Sequence, residues 1–463
     1  MTVATRSRPY PETRDHRDHR ERRRRAVGLG LLVSAQFVVM LDTSIVNVAL
    51  PSIRADLGLG ATSLSWVVNA YVLTFGGLLL LFGRVADLVG RRRMFVAGSA
   101  LFTVGTLLAA GAGTAWMLVT GRVVQGAGAA ALSPAAMSLL LLGHTGERRA
   151  RAMSLWGAAS AVGGATGVLA GGLLAGTFGW SSVFLVTVPA TLAGLVLARR
   201  VLDDTPRGVR RRFDAPGAVT ITAAVLALVE GALGAADHGP TSPDVVLALG
   251  ATAVFLGMFV AIERHTEDPL VPLELFASRV LSSGVGLAVL GGAARASTFV
   301  LVALYLQQSL AMSPEHAGLA MVPTSVTGFV ANLALLPRVL RAIGPRRSLV
   351  VGLVVLAAGH VWLAAAPTGD RYLVAVLPGL LLVAIGVALS FTPTTMVIAS
   401  AAPESHTGLA SGLASSATQV GAAIGTAAFT AVALAGGGFA EAFTAAAGVA
   451  LATALLGCAI VRR

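Results

Sequence analysis

The chain has 463 residues, 55% of them hydrophobic and only 12% charged, with a mean hydropathy of +0.80. A soluble domain carries about twice that charged fraction, so the composition excludes an ordinary soluble fold and predicts an all-α protein that crosses a membrane many times. The net charge of +12 does not indicate a nucleic-acid surface, because the arginines stand in short clusters between apolar runs.

Apolar runs of about 18–25 residues predict fourteen transmembrane helices. They lie near 26–50, 63–83, 94–112, 116–142, 152–176, 180–198, 215–236, 245–262, 280–308, 316–337, 348–366, 372–400, 407–435 and 440–460. If these spans alternate, the Arg clusters in the N-terminal tail, 84–93, 148–151, 199–212, 338–347 and 462–463 all share one side. The opposite loops hold only Arg54 and Arg371. The positive-inside rule then puts both termini in the cytoplasm of a cell-membrane protein. Cys458 is the only cysteine, so neither a disulfide framework nor a thiolate metal site is expected. Asp15-His16-Arg17-Asp18-His19 reads as part of a solvated basic tail, 1–25, near anionic headgroups, and no metal or cofactor is predicted.

The first span carries Asp42 and, five residues on, Asn47. A carboxylate in such a run costs about 2.5–3.5 kcal/mol on insertion scales, so Asp42 is functional, paired with another buried charge, or both. The second span holds Asn69 and Tyr71 near its outer end, where Tyr71 also fits an interfacial anchor. The tight connection from Gly83 to Arg93 follows, with two glycines, Gly83 and Gly90, with Arg91 among its arginines, and with Asp87 as its single acid. In the fourth span Arg122 and Gln125 share a helical face at i and i+3, with snorkelling as the alternative for the Arg. The fifth span repeats glycine at 163, 167 and 171, a stripe that lets another helix come close.

Shifting the chain by 254 residues lays Pro337–Arg347 on Gly83–Arg93 without a gap, and Gly421 and Gly425 on Gly167 and Gly171. Two related halves of six helices are therefore expected, 26–200 and 279–463, as a parallel repeat. The stretch 201–278 supplies a linker and an extra central helix pair. Asp87 is not repeated; its counterpart is Arg341. In the second half Arg295 lies sixteen residues after Arg279, about 24 Å along a helix and too deep to reach headgroups easily. A cavity with its substrate, a pairing with Glu230 or an outward-snorkelling side chain are the ways to answer it. Gln307 closes that span, Asn332 sits in the tenth, and Pro378 and Pro393 are expected to interrupt the twelfth.

Four stretches together resemble the fourteen-helix drug:proton antiporters of the major facilitator superfamily. They are Leu41–Pro51, Gly83–Arg93, Arg122-Val123-Val124-Gln125-Gly126 and Gly167–Gly172, joined by the Pro-Leu-Val-Pro-Leu-Glu-Leu-Phe run at 269–276. The family's fifth-helix motif has proline after the glycine at 167, where this chain has Val168. The resemblance implies a monomeric, non-enzymatic transporter that exports a small, antibiotic-like molecule in exchange for protons. It implies proton coupling at Asp42 and Arg122 and a cavity lined by Asn69, Tyr71, Gln125, Arg295, Gln307 and Asn332. It also implies a gate at Gly83, Asp87, Gly90 and Arg91, with Asp87 at the start of the thirteenth helix. A proton-coupled importer of a nutrient on the same fold is the alternative.

Overall fold

The computed structural model describes residues 12–203, 214–239, 241–312, 314–366, 372–403, 406–434 and 438–461. Residues 1–11, Arg371, Arg462, Arg463 and most of the 199–212 cluster lie outside this set, so the expectations placed on them are not addressed. The described chain is helical, as its apolar runs require: with no water in a bilayer core, each backbone N–H and C=O must be bonded within its own segment.

The first part runs α1 (Glu12–Leu57), α2 (Ala61–Val89), α3 (Arg91–Ala110), α4 (Ala115–Gly143), α5 (Gly146–Phe178), a single turn α6 (Ser182–Leu185) and α7 (Val188–Val201). Within it α1 packs on α5, α4 on both α2 and α3, and α3 on α7. Their apolar faces close a core that includes Val39, Phe102, Leu132 and Trp156. A hairpin follows, α8 (Ala215–His238) and α9 (Pro243–His265), opened by the Asp214 side chain accepting from Gly217 N at 2.8 Å. Its helix α8 rests on α2, while Val246, Leu247 and Val254 of α9 stay on the surface, as lipid-facing positions do.

The last part holds α10 (Arg279–Gln308), α11 (Pro314–Ala320), α12 (Val322–Val330), α13 (Leu336–Ala364), α14 (Leu377–Ala401), α15 (Thr407–Leu434) and α16 (Gly438–Val461). Here α10 packs on α15, and α13 on α14 and α16, around Leu301, Leu353, Val383 and Phe443.

Several boundaries differ from the sequence expectation. The basic tail is helical from Glu12, so α1 is one 46-residue helix. The sixth span is broken at Val186 and Thr187, ahead of Pro189. The tenth is broken at Met321 and widens into a π-helical stretch, Ala331–Leu335. The expected loop 338–347 is helical except at Gly344, whose φ of 75° turns the chain between two helices. Gly90, its partner in the 254-residue repeat, turns the chain between α2 and α3 with φ 106°. Only glycine adopts such angles without steric cost, so one device serves both halves.

Pro393 does not interrupt α14. A proline leaves the carbonyl four residues back without its donor. That carbonyl, on Leu389, accepts instead from Ser348 Oγ at 3.0 Å, and the helix continues. Among the described residues eleven helices are long and apolar enough to cross a membrane. Counting the two arms of α5, bent by 44°, makes twelve. One of the eleven, His316–Ala364, contains the Gly344 turn.

Candidate functional site

Asp42, Arg122 and Gln125 meet in the interior, none more than 1% exposed. Arg122 Nη1 donates to Asp42 Oδ2 at 2.6 Å and to Gln125 Oε1 at 2.8 Å. Gln125 Nε2 donates to the other carboxylate oxygen at 2.7 Å and to Thr106 Oγ1 at 3.0 Å. Arg122 Nε donates to the Val67 carbonyl at 2.9 Å, and its guanidinium lies 4.3 Å from the centre of the Tyr71 ring. The snorkelling alternative for Arg122 is therefore ruled out. Both oxygens of Asp42 accept a bond, one of them charge-assisted, and this satisfies a carboxylate at membrane depth.

Small residues let these helices approach. A Cβ at Gly163 would stand 2.6 Å from the Phe37 carbonyl, one at Gly167 2.7 Å from Ser44 Cβ, and one at Gly171 2.9 Å from the Ile45 carbonyl. The glycine stripe of α5 thus holds the turns of α1 on either side of Asp42. On α4, a Cβ at Gly126 would stand 2.8 Å from the Tyr71 carbonyl, and that closeness brings Arg122 and Gln125 against α2.

A second buried constellation lies at the arginine-rich ends. Asp87 Oδ1 accepts from Arg91 Nη2 at 2.8 Å and from Gly408 N at 2.9 Å, and Oδ2 accepts from Leu409 N at 2.7 Å. The acid sits on the first free amides of α15, where the positive end of the helix favours an anion. Gly83 lies in the same contact: a Cβ there would be 2.8 Å from the Gly408 carbonyl and 3.1 Å from Gly412 Cα. In the other half Arg341 lies 4.0 Å from Glu147 in the first turn of α5, and both side chains are exposed.

The remaining candidates do not join the Asp42 cluster. Asn332 is buried in the π-helical stretch; its Nδ2 donates to the Gly328 carbonyl at 2.8 Å, and its Oδ1 lies against Gly157 with no partner. Gln307 is exposed at the end of α10, Asn69 is half-buried, and Asn47 is exposed with Nδ2 on the Thr43 carbonyl. Arg295 is buried, and Glu230, its suggested partner, is exposed on α8. That pairing is not formed.

The major facilitator superfamily profile matches residues 32–263 and 284–463. The chain belongs to the major facilitator superfamily. It is 38% identical over 404 residues to the cephamycin export protein CmcT of Amycolatopsis lactamdurans, covering 86% of this chain and 83% of that one. It is 37% identical over 411 residues to the puromycin resistance protein pur8 of Streptomyces alboniger, covering 87% and 81%. The human organic anion transporter MFSD10 (TETRAN) superimposes with a TM-score of 0.69 at 15% identity, over 94% of this chain and 99% of that one, a likeness of fold.

Around this superfamily fold the sequence reading missed several polar side chains. Thr106 completes the Asp42 cluster, and Gln36 Nε2 donates to Ser160 Oγ at 2.8 Å between α1 and α5. His360 is fully buried in α13, with Nε2 at 2.6 Å from Thr298 Oγ1. Thr392 faces Gly157 beside Asn332. His360 was detectable in principle, as an ionisable residue in the middle of an apolar run. The threonines carry no such signal.

Proposed function

We propose that this chain exports a small organic molecule of antibiotic type, driven by inward movement of protons. The observation that carries the reading is Asp42, a carboxylate at membrane depth whose bonds to Arg122 and Gln125 can be exchanged for a proton. The likeness to an export protein and to a resistance protein over most of the chain supports the same direction of transport. A membrane potential supplies about 2.3 kcal/mol per charge per 100 mV, enough to drive accumulation against a gradient.

In this reading the halves 26–200 and 279–463 rock about a central cavity, with 201–278 as linker and extra hairpin. Asn69 is half-buried beside it, and Tyr71, Gln125 and Asn332, buried in this state, join its wall when the halves part. Fourteen crossings place both termini and the arginine clusters in the cytoplasm, with Gly344 separating two of them. The Asp87 contact and the Gly83–Gly408 approach hold the cytoplasmic side closed. Gly90 and Arg91 set the angle of that connection.

Asp42→Asn in inside-out vesicles tests the coupling. Uptake of puromycin or a cephamycin driven by a pH gradient is expected to fall to the level of empty vesicles, while energy-independent exchange of the same compound continues. Normal gradient-driven uptake by Asp42→Asn would place the proton site elsewhere, and proton-driven movement in the opposite direction would make the protein an importer. A cysteine at Gly239, in a Cys458→Ser background, is expected to react with an impermeant maleimide from outside intact cells. Labelling only after permeabilisation would overturn the fourteen-crossing arrangement.

A further inference from the structure

Four arginines are buried among the described residues: Arg84, Arg91, Arg122 and Arg295. Three of them are answered. Arg84 donates to the Pro269 carbonyl, Arg91 to Asp87, and Arg122 to Asp42, Gln125 and Val67. Arg295 is 4% exposed, and Nε, Nη1 and Nη2 all lack a hydrogen-bond partner among the described residues. A guanidinium carries five donors in a fixed fork and does not shed its charge, so neutralisation does not relieve the cost.

The surroundings of Arg295 keep it there. Gly291, one turn back on α10, leaves room along the helix: a Cβ at that position would stand 2.6 Å from Nη1 and 3.2 Å from Cζ. The Phe391 ring of α14 lies 5.8 Å from the guanidinium carbon, which offers a cation a face but gives its N–H groups nothing to donate to. Thr298, one turn on, is already engaged with His360. Thr392 Oγ1, next to Phe391 in the chain, and Asn332 Oδ1 also lack partners, and both face Gly157 of α5. Open polar atoms therefore occur on α10, on α14 and in the π-helical stretch between α12 and α13. Three donors aimed at no acceptor are a recognition surface whose other half is absent from the protein.

We propose that Arg295 is the counter-ion of the transported molecule, and that the substrate is an organic acid, with a carboxylate for the guanidinium fork and an apolar ring for the Phe391 face. The fork binds a planar carboxylate through two parallel N–H···O bonds, a geometry that a neutral carbonyl or a quaternary ammonium cannot reproduce. This assignment rests on the export reading above and narrows its substrate class. It predicts that the empty protein gains nothing from Arg295, and that the charge contributes only when an acid is bound.

The test is ligand-dependent melting of the purified full-length protein in detergent, with three probes of matched size: 1-naphthoate, 1-naphthamide and N-methylquinolinium. A ligand that binds only the folded state raises the melting temperature, so naphthoate is expected to shift it by several degrees and the other two not at all. Arg295→Gln is expected to keep or raise the melting temperature of the empty protein and to lose the naphthoate shift. Arg295→Lys, which retains the charge without the fork, is expected to retain a reduced shift. Equal shifts from all three probes, no naphthoate shift, or a shift unchanged in Arg295→Gln would overturn the proposal. So would a marked destabilisation of the empty protein by both variants, which would make Arg295 structural. Asp42-dependent, proton-driven efflux of a cationic compound alongside any of these results would leave the export reading standing and remove the organic acid alone.

Discussion

Before Val201, each buried charge has a protein partner: Asp42 is held by Arg122 and Gln125, and Asp87 by Arg91 and two amides of α15. After Arg279 the pattern changes. Arg295 donates to nothing among the described residues, and Arg341, the repeat counterpart of Asp87, meets an exposed Glu147 at 4.0 Å and donates to the Pro337 carbonyl of its own helix at 3.3 Å. The two halves share Gly90 and Gly344 as matching turns and the α1–α5 and α10–α15 packings as matching pairs, so the backbone plan is common to both. The contrast lies in the side chains. The first half has every buried charge answered by a protein group, for Asp87 and Arg84 partly from α15 and the Pro269 carbonyl, and the second leaves Arg295 open. On the function proposed above, the Asp42 cluster answers the proton and Arg295 the transported molecule.

The largest effect that would sharpen this contrast comes from Arg122→Leu. Removing one partner of a buried ion pair strands the other, at a cost of about 3–5 kcal/mol. A large fall in melting temperature in detergent is expected, with most of it recovered in the double variant Asp42→Asn/Arg122→Leu. If the double variant is no more stable than the single, volume rather than charge holds the cluster, and the contrast with Arg295 fails.

Asp87→Asn is the next in size. It replaces charge-assisted acceptance from Gly408 and Leu409, each bond worth about 1.5–3 kcal/mol, with a neutral oxygen. The expected readout is faster alkylation by N-ethylmaleimide of a cysteine introduced at the buried Ser411, in a Cys458→Ser background. An unchanged rate would mean that the Gly83–Gly408 approach closes this side by itself. Glu147→Gln should have the smallest effect. Its pair with Arg341 is more than half exposed at both ends, and such pairs contribute about 0–1 kcal/mol and weaken in salt. Melting temperature and Ser411→Cys reactivity are both expected to stay the same. A change as large as that of Asp87→Asn would show that the two connections act as equals.

Much of this was legible because charge is rare in the sequence. Asp42, Arg122 and Arg295 each interrupt an apolar run, where a charge needs a reason, and Asp87 is the single acid in a connection of arginines. The i, i+3 spacing brought Gln125 to Arg122, and the lost repeat of Asp87 marked the difference between the two connections. Thr106 and Thr392 escaped because a hydroxyl in a membrane helix can bond its own backbone, so only the fold shows which ones turn to a neighbour. The π-helical stretch at Asn332 needs no marker residue. The helical tail from Glu12 escaped for the opposite reason, since hydrophobicity ends at Ala26 while the backbone continues. Gln307 is exposed at the end of α10, and a glutamine at a helix end reads the same whether it faces a cavity or water.

The length of α1 has a mechanical consequence. From Asp42 back to Glu12 the helix is unbroken, about 45 Å of rigid rod at 1.5 Å per residue. A tilt of ten degrees about Asp42 would carry the far end through about 8 Å. Part-way along that rod, about 27 Å from Asp42, Arg24 is paired with Asp203, where α7 runs into the linker. A displacement too small to see beside the carboxylate is thus magnified toward the arginine-rich end, which makes that end the natural place to attach a probe of movement at Asp42.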